Sequence, residues 1–357
     1  MKRLLIAIAL LLCPFFCAAA TKEAPEADPF KNWMNYYYMS GDSSKVPDYL
    51  KWLQESGALE KDPAKIDRVE GFLSVIFADN AAKANEWAHS GSFTGKTQTA
   101  IDYAVKPPVA PELKEIKTAE DIDTVWGSFY ASGKELYLKK IVDALDTSAP
   151  LSGNVVQDGP TRAQAAHSLG VNMTPHEAVE RYIRSESEKR TGAVGDQLKH
   201  IVADVSEQRD ARASKNRDGE FSAVLIVADP NAVGKALAES VRDNTIRLKE
   251  SAHARTDDKR TFVIFFGGMA LSPDYQADVT YDVKLVDPEG KTYLEKTALV
   301  ALKDKVPTRF RMFNNKDAVF ISFDRKDTKG TYNVSVTLKD NIGKKSIPLT
   351  AVIAFKK

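Results

Sequence analysis

Cysteine is almost missing from this chain of 357 residues: there are two, Cys13 and Cys17, and both lie near its start. Everything after them lacks a disulfide, a thiol nucleophile and a thiolate metal site, so the fold there must rest on burial of apolar surface. An excess of one charge is missing too. Fifty Lys and Arg face 49 Asp and Glu, which leaves no global basic field to gather nucleic acid or an anionic membrane. Long apolar runs are confined to Leu4–Cys17, shorter than the roughly 20 residues of a membrane-spanning helix. Histidine is scarce, with five scattered copies. Gly-x-Ser-x-Gly elbows and Gly-x-Gly-x-x-Gly loops are absent, which removes the common signatures of serine hydrolases and dinucleotide enzymes.

What is present begins with an export signal. Met1-Lys2-Arg3 is a positive start, Leu4–Cys17 an uncharged core, and Ala18-Ala19-Ala20 the small residues a signal peptidase needs. Residues 1–20 therefore read as a cleavable secretory signal peptide. Lipidation is disfavoured, because bulky Leu12 and Phe16 precede the two cysteines. Cleavage would remove both cysteines together with Lys2 and Arg3, turning the formal charge from +1 to −1. The expected destination is the periplasm, with an extracellular one as the alternative. Residues 21–29 (TKEAPEADP) read as a flexible leader.

From Phe30 to about residue 213 apolar residues recur at helical spacing. Ile66, Val69, Phe72, Leu73, Ile76 and Phe77 form one stripe, and Asn80–His89 and Asp196–Ala213 read as further helices. Thr174-Pro175-His176-Glu177 predicts a helix start with Thr174 as cap, Pro175 in the first turn and Glu177 closing a capping box. There is also an internal echo. Tyr37-Tyr38-Met39-Ser40-Gly41 and Phe129-Tyr130-Ala131-Ser132-Gly133 are each preceded by a tryptophan, Trp33 and Trp126, and each is followed by an amphipathic stretch. A helix ending at a glycine cap and a second doubling back explain both copies. The region resembles irregular α-helical repeat arrays. Lys106-Pro107-Pro108-Val109-Ala110-Pro111 interrupts it as a rigid extended segment, and 208–219 reads as a charged linker.

After Gly219 the period changes from 3.6 to 2. Phe221–Ala228, Thr261–Phe266, Tyr281–Leu285, Thr331–Leu338 and Ile347–Phe355 read as strands separated by turns, which predicts a β-sandwich over 219–357. Gly330-Thr331-Tyr332-Asn333-Val334-Ser335-Val336-Thr337-Leu338 resembles the late strand of immunoglobulin-like and fibronectin type III-like sandwiches of exported bacterial proteins. In that family the tyrosine often serves as a corner residue. Asp287-Pro288-Glu289-Gly290 resembles a hairpin turn of such domains. The resemblance spans about 260–357. It implies a binding or scaffolding module and carries no catalytic residue across. The Cys–Trp–Cys hallmark of true immunoglobulin domains is missing, since no Cys or Trp follows Trp126.

Three motifs fail on spacing. Gly91-Ser92-Phe93-Thr94-Gly95-Lys96-Thr97 has three residues between its glycines where a phosphate loop needs four. His176-Glu177-Ala178-Val179-Glu180 ends in Glu where a zinc helix needs a second His. Glu86-Trp87-Ala88-His89 has no partner motif of the kind carboxylate-bridged metal bundles need. No cofactor and no metal are expected. The best positive feature is the aromatic cluster of Trp33, Tyr36, Tyr37, Tyr38, Tyr49 and Trp52. Most of it should be core, but three consecutive tyrosines cannot all face one core, because successive helical positions point about 100° apart. Trp33, Tyr36, Tyr37, Tyr38 and Trp52 are therefore the candidate binding residues. The expected function is a non-catalytic binding or assembly protein acting on envelope protein or glycan. The alternative is an envelope-polymer hydrolase with carboxylates in a groove between the two domains.

Overall fold

The structure is a computed structural model and describes residues 8–9, 28–148, 150–153, 155–210, 214, 216–243, 245–246 and 248–356. The expected signal peptide and leader lie outside these residues, except for Ile8–Ala9 (β1) and Asp28–Pro29. The chain divides into two compact units, one spanning Asp28–Arg209 and one containing Asp210–Lys357. Among the described residues no helix is long and apolar enough to cross a membrane.

The first unit is helical. Its helices are α1 (Lys31–Asn35), α2 (Tyr37–Ser40), α3 (Val46–Ser56), α4 (Ala58–Lys61), α5 (Ile66–Asp79), α6 (Ala81–Ala88), α7 (Gly95–Val105), α8 (Ala119–Ser132), α9 (Glu135–Asp143), α10 (Val155–Met173), α11 (Glu177–Lys189) and α12 (Gly192–Asp210). The α5 stripe is buried as its spacing requires: Val69, Phe72, Leu73, Ile76 and Phe77 join one core with Trp126, Phe129, Leu138 and Ile141. The central contact is between α5 and α8. A Cβ placed on Gly71 would lie 1.9 Å from the Thr124 carbonyl oxygen, and one on Gly127 would lie 2.0 Å from that of Arg68. The two helices therefore meet backbone to backbone at reciprocal glycines, and any side chain there would force them apart.

The echo is real in its caps. Gly41 (φ 60°) ends α2 and Gly133 (φ 67°) ends α8, both left-handed. The copies differ in between, since the first is broken at Tyr36 into α1 and α2 while α8 runs unbroken. They also pack on each other, with the Tyr38 and Phe129 rings 5.4 Å apart.

One predicted start moves. Helix α11 begins at Glu177 with His176 in the cap position and no side-chain cap bond. The would-be cap is otherwise engaged: Thr174 Oγ1 accepts from Arg209 Nη2 at 3.4 Å, and the Glu177 carboxylate faces forward to Arg181 at 3.2 Å. Helix α12 starts at Gly192 (φ 69°), four residues before the expected Asp196. Its expected end, Ala213, lies outside the described residues.

The second unit is a two-sheet sandwich. Its elements are β2 (Arg217–Asp218), β3 (Phe221–Ala228), α13 (Pro230–Asp243), β4 (Thr245–Ile246), β5 (His253–Ala254), β6 (Lys259–Gly267), β7 (Gln276–Val286), β8 (Thr292–Lys305), β9 (Phe313–Asn314), β10 (Phe320–Ser322), β11 (Gly330–Asp340) and β12 (Lys345–Phe355). One sheet has the order β10-β6-β3-β2 with β9 on β6, the other β5-β12-β11-β7-β8. The described pairs in these sheets are antiparallel except β12 with β5, and β1 pairs antiparallel with β4. The predicted alternation holds along β11: Tyr332, Val334, Val336 and Leu338 are buried, while Asn333 and Ser335 are exposed. They meet Phe221, Phe262, Ile264 and Phe266 of the facing sheet in one core. Helix α13 was not foreseen. It lays Val233 and Leu237 against Ile226, Val263 and Phe265, so the β3–β6 sheet is covered on both faces. The hairpin Asp287–Gly290 joins β7 to β8, with Asp287 Oδ1 accepting from the amides of Glu289 and Lys291 at 2.9 and 2.8 Å. Tyr332 Oη donates to the Thr328 carbonyl at 2.9 Å, the geometry of a tyrosine corner.

Candidate functional site: an aromatic nest and an acidic cleft in the helical unit

The predicted aromatic residues divide between two places. Tyr37 is buried, edge-on to Trp33 and Phe72 at 5.6 and 5.5 Å. Trp33, Tyr36, Tyr38 and Trp52 are half-buried. Trp33 and Trp52 join Phe30 and Tyr49 in a packed group, Tyr49 stacking on Trp52 at 6.1 Å, and the Trp33 indole nitrogen donates to the Asp42 carbonyl at 3.0 Å. The run of three tyrosines does point several ways: Tyr37 enters this group, while Tyr36 and Tyr38 turn toward His176.

His176 is the centre of a second nest. It is 1 % exposed and stacks on Tyr130 at 5.1 Å, with Tyr36, Tyr38 and Phe129 around it. Tyr38 Oη lies 3.3 Å from its Nδ1. Burial holds the imidazole neutral, with its pKa lowered to about 3, because a charged ring would lose its hydration here. Tyr130 Oη donates to Asn172 Oδ1 at 2.7 Å, and burial pushes that phenol up to about 12. The nest is a structural joint among α1–α2, α8 and the α10–α11 turn, built for packing and unsuited to proton transfer near neutral pH.

A third arrangement was not singled out by the sequence. Gly71, Ser74, Thr124 and Ser128 on α5 and α8 floor a small cleft that Val109, Pro111 and Lys114 roof and Tyr103 of α7 walls. Asp67 and Glu70 project from α5 one turn apart, and both are half-buried. Burial pushes Glu70 up to about 7, the Asp67 charge adding to the effect and Lys114 opposing it. Asp67 is raised as well, by burial first and then by Asp123 and Glu120. Lys114 Nζ pairs with Asp121 Oδ1 at 2.6 Å. Asp121 is also the third residue of the α8 capping box with Thr118, and together these bonds hold its carboxyl below the usual range despite burial. A carboxylic acid that titrates near neutrality beside a second carboxylate can bind, donate or store a proton. Asp and Glu are plentiful in this chain. The only sequence cue was position: a carboxylate pair on the helix that also carries the longest apolar stripe.

The three rejected motifs have other occupations. At the Gly91–Thr97 segment, the Lys96 amide donates to Glu60 Oε1 at 2.9 Å, so a carboxylate holds the place of a phosphate. His89 Nδ1 meets the Asn85 carbonyl at 2.8 Å. Beside His176, Glu180 is held by Arg209 at 2.8 Å and by Arg184. Among the described residues no group of three or more His, Cys, Asp or Glu side chains could hold a metal ion.

No family model matches the chain, and no curated protein matches it. Several solved structures resemble it, among them these three. The PKD domain of an M14-like peptidase from a Thermoplasmatales archaeon has 17 % identity and a TM-score of 0.19, over 30 % of this chain and 87 % of that one. The CARDB domain of a Pyrococcus furiosus protein has 7 % identity and a TM-score of 0.21, over 40 % and 92 %. An alkylpurine DNA glycosylase of Pseudomonas fluorescens has 12 % identity and a TM-score of 0.23, over 91 % and 77 %. Likenesses at these scores carry no argument about function, and the fold stands on the helix packing and strand pairing described above.

Proposed function

We propose that this chain is an exported, periplasmic, non-catalytic binding or assembly protein whose partner is protein or glycan of the cell envelope, and that it binds through the proline-rich rim of its helical unit. The carrying observation is an exposed apolar group on a stiff segment. Val105, Val109, Leu113 and Leu136 are 52, 44, 70 and 40 % exposed, and the first three flank Pro107, Pro108 and Pro111. Leu113 and Leu136 belong to neighbouring segments, which Lys134–Glu112 at 3.3 Å and Lys140 Nζ to the Lys114 carbonyl at 2.6 Å tie together. Prolines limit the conformational freedom lost on binding, and exposed apolar groups fixed in place favour contact with a partner. Trp33, Tyr36, Tyr38 and Trp52, each with part of its surface open, extend the candidate surface. The tyrosine corner at Tyr332 supports the immunoglobulin-like reading of the sandwich and agrees with a binding or scaffolding role. The test is photo-crosslinking from position 113 in intact envelopes of the native host. A discrete adduct is expected, lost in the Val105→Asp/Val109→Asp variant and kept in Val352→Asp. Monomer alone, or an adduct indifferent to the rim variant, overturns the reading.

One observation favours a second reading. Glu70 and Asp67 form a carboxylate pair with raised pKa values, the pattern of a general acid with its partner in an envelope-polymer hydrolase. The pair belongs to the helical unit. Turnover on a panel of peptidoglycan, glycan and ester substrates, abolished by Glu70→Gln, would establish it. No turnover on any of them would remove it.

A further inference from the structure

The sandwich carries a cleft of its own, and its chemistry supports an inference that goes beyond the rim of the helical unit and stands without it. Ile321 of β10 is buried in the sandwich core, so its neighbours Phe320 and Ser322 lie on the opposite face of the sheet. That is the face α13 covers: Phe320 pairs with Thr261, and Val263 and Phe265 further along β6 pack against Val233 and Leu237. The helix begins only at Pro230, and β10 ends the sheet, so the face stays open at Phe320. The result is a cleft of about 470 Å³ lined by Pro230, Asn231, Lys259, Phe320, Ile321 and Ser322.

The lining is one aromatic wall among polar groups. Phe320 is 60 % exposed. Lys259, Asn231 and Ser322 are exposed as well, and their side chains have no hydrogen-bond or ion-pair partner among the described residues. Acids that could cancel the Lys259 ammonium are occupied. Asp229 Oδ1 accepts from the Asn231 and Ala232 amides at 2.8 and 3.3 Å, and Asp258 Oδ2 accepts from the Arg255 amide and from Arg260 Nη2 at 2.9 and 3.0 Å. Arg255 and Arg325 stand on the two loops that follow the cleft, which meet where the Asp257 amide donates to the Phe323 carbonyl at 2.8 Å. The wider field has the same sign. Residues 28–209 hold 21 Lys and Arg against 27 Asp and Glu, while residues 210–357 hold 26 against 20. The near-zero charge of the whole chain hides a basic sandwich unit, which favours an anionic ligand there.

We propose that this cleft binds an acidic sugar unit of a glycan chain. The ligand class follows from what each group can satisfy. A pyranose ring has an apolar C–H face to lay on Phe320, hydroxyls to exchange hydrogen bonds with Asn231 and Ser322, and, in a uronic acid, a carboxylate for the Lys259 ammonium. An acyl chain would use Phe320 and leave the amide and hydroxyl unmatched. A bare inorganic anion would use Lys259 and leave the ring in water. The cleft lies at the sheet edge and is open rather than enclosed, so the glycan can continue past the bound unit.

Titration calorimetry of the full-length protein with trigalacturonate, and with its methyl ester as a neutral probe of the same shape, tests this. Binding of the acid with a Kd of about 1 mM or tighter is expected, about tenfold tighter than the ester at low salt, with the preference shrinking as salt is added. Lys259→Gln should erase the preference and leave the ester's affinity unchanged. Phe320→Ala should weaken both probes about tenfold, and Phe320→Trp, which keeps an aromatic face, should restore them. Both side chains are exposed, so these variants should melt with the wild type, and the tryptophan variant answers for any that does not. No binding of trigalacturonate, equal affinity for acid and ester, or affinity unmoved by Phe320→Ala overturns the proposal. Binding to phosphatidylglycerol vesicles with none to either sugar would overturn it too, in favour of a lipid surface. The envelope crosslink from position 113 reads the other unit, so either result can fail alone.

Discussion

The two units bury polar groups for different ends. In the sandwich, the buried side chains of Asp340, Asn315 and Arg260 tie down backbone. Asp340 accepts from the amides of Ala270, Ile342 and Gly343 at 2.8, 3.1 and 2.9 Å. Asn315 accepts from the Ile264 amide at 2.8 Å and donates to the Asp317 carbonyl at 2.7 Å. Arg260 donates to the Ser251 carbonyl at 3.1 Å and to that of His253. These groups close loops and leave little chemistry free. In the helical unit, His176, Asp67 and Glu70 are set so that burial displaces their protonation equilibria. The half-buried pair Asp67 and Glu70, with both carboxyls raised by burial first, makes the helical unit the candidate place for chemistry.

The comparison also makes the two units separately breakable. All four tryptophans, at 33, 52, 87 and 126, belong to the helical unit, so their fluorescence follows its unfolding alone. Gly127→Ala should be the largest single effect. Its Cβ would meet the Arg68 carbonyl oxygen at 2.0 Å and the Phe72 amide nitrogen at 2.8 Å, and backbone cannot yield as a flexible side chain does. A loss of about 4 kcal/mol is expected, read as an early tryptophan transition in denaturant with the β-sheet signal unmoved. Gly290→Ala in the sandwich is the control. Its φ is +84° but nothing lies within 4 Å of the added methyl, so only the strain of the left-handed backbone remains, about 1 kcal/mol.

Acid should separate the units next. The pKa of His176 is depressed to about 3 by burial. The folded helical unit therefore excludes the protonated ring. The stability this contributes is complete above the ordinary value of 6.5 and is lost as the pH falls toward 3. At pH 5 the loss is about 2 kcal/mol. Glu70 pulls the other way, because its value is raised and its contribution fades as pH rises, but its half exposure weakens the effect. The tryptophan transition of the wild type should thus move to lower denaturant between pH 7 and pH 5. In His176→Phe, which keeps an aromatic ring in the nest, the shift should vanish or reverse, exposing the slope of Glu70. A wild-type slope that persists in His176→Phe would place the acid sensitivity elsewhere.

The third effect lies in the sandwich. Tyr332→Phe removes the corner hydrogen bond to the Thr328 carbonyl while keeping the ring against Phe323 and Tyr293. A loss of about 1 kcal/mol is expected, in the β-sheet signal and not in fluorescence.

Much of the fold was legible because it obeys local periods. The β11 alternation and the α5 stripe are written in the order of residues, and the glycine caps at 41 and 133 in single letters. Helix α13 was missed because its apolar face is thin, with Val233 and Leu237 set among Lys, Gly and Glu, and because it follows a strand whose second buried face showed only as an unbroken apolar run. The α11 start was misplaced because a cap sequence competes with tertiary demands, and burying His176 among four aromatic rings outweighed the local bond. The aromatic candidates were visible as residues, but their division between two groups depends on the break at Tyr36. The small cleft was illegible for another reason: it joins α5, α7, α8 and the proline segment, and only folding brings Lys114 and Tyr103 beside Gly71 and Ser128.

The smallest effect sharpens the comparison most, because it repeats one chemical change in the other unit with the opposite sign. Tyr137 of α9 is fully buried, and its hydroxyl has no hydrogen-bond partner among the described residues. Burial pushes the phenol well above its ordinary range, with Glu112 and Asp79 adding to it. A hydroxyl taken out of water without a partner costs stability, so Tyr137→Phe should be neutral or gain up to about 1 kcal/mol. Tyr332→Phe loses about that much because its hydroxyl is bonded. Equilibrium denaturation of the two variants side by side decides the matter. A gain at 137 and a loss at 332 would show that the hydroxyl bonded to backbone in the sandwich stabilises it while the unbonded hydroxyl of the helical unit does not. A loss at 137 equal to that at 332 would mean that a bound water or small ligand satisfies Tyr137, and would mark the α9 interior as a further place to look for one.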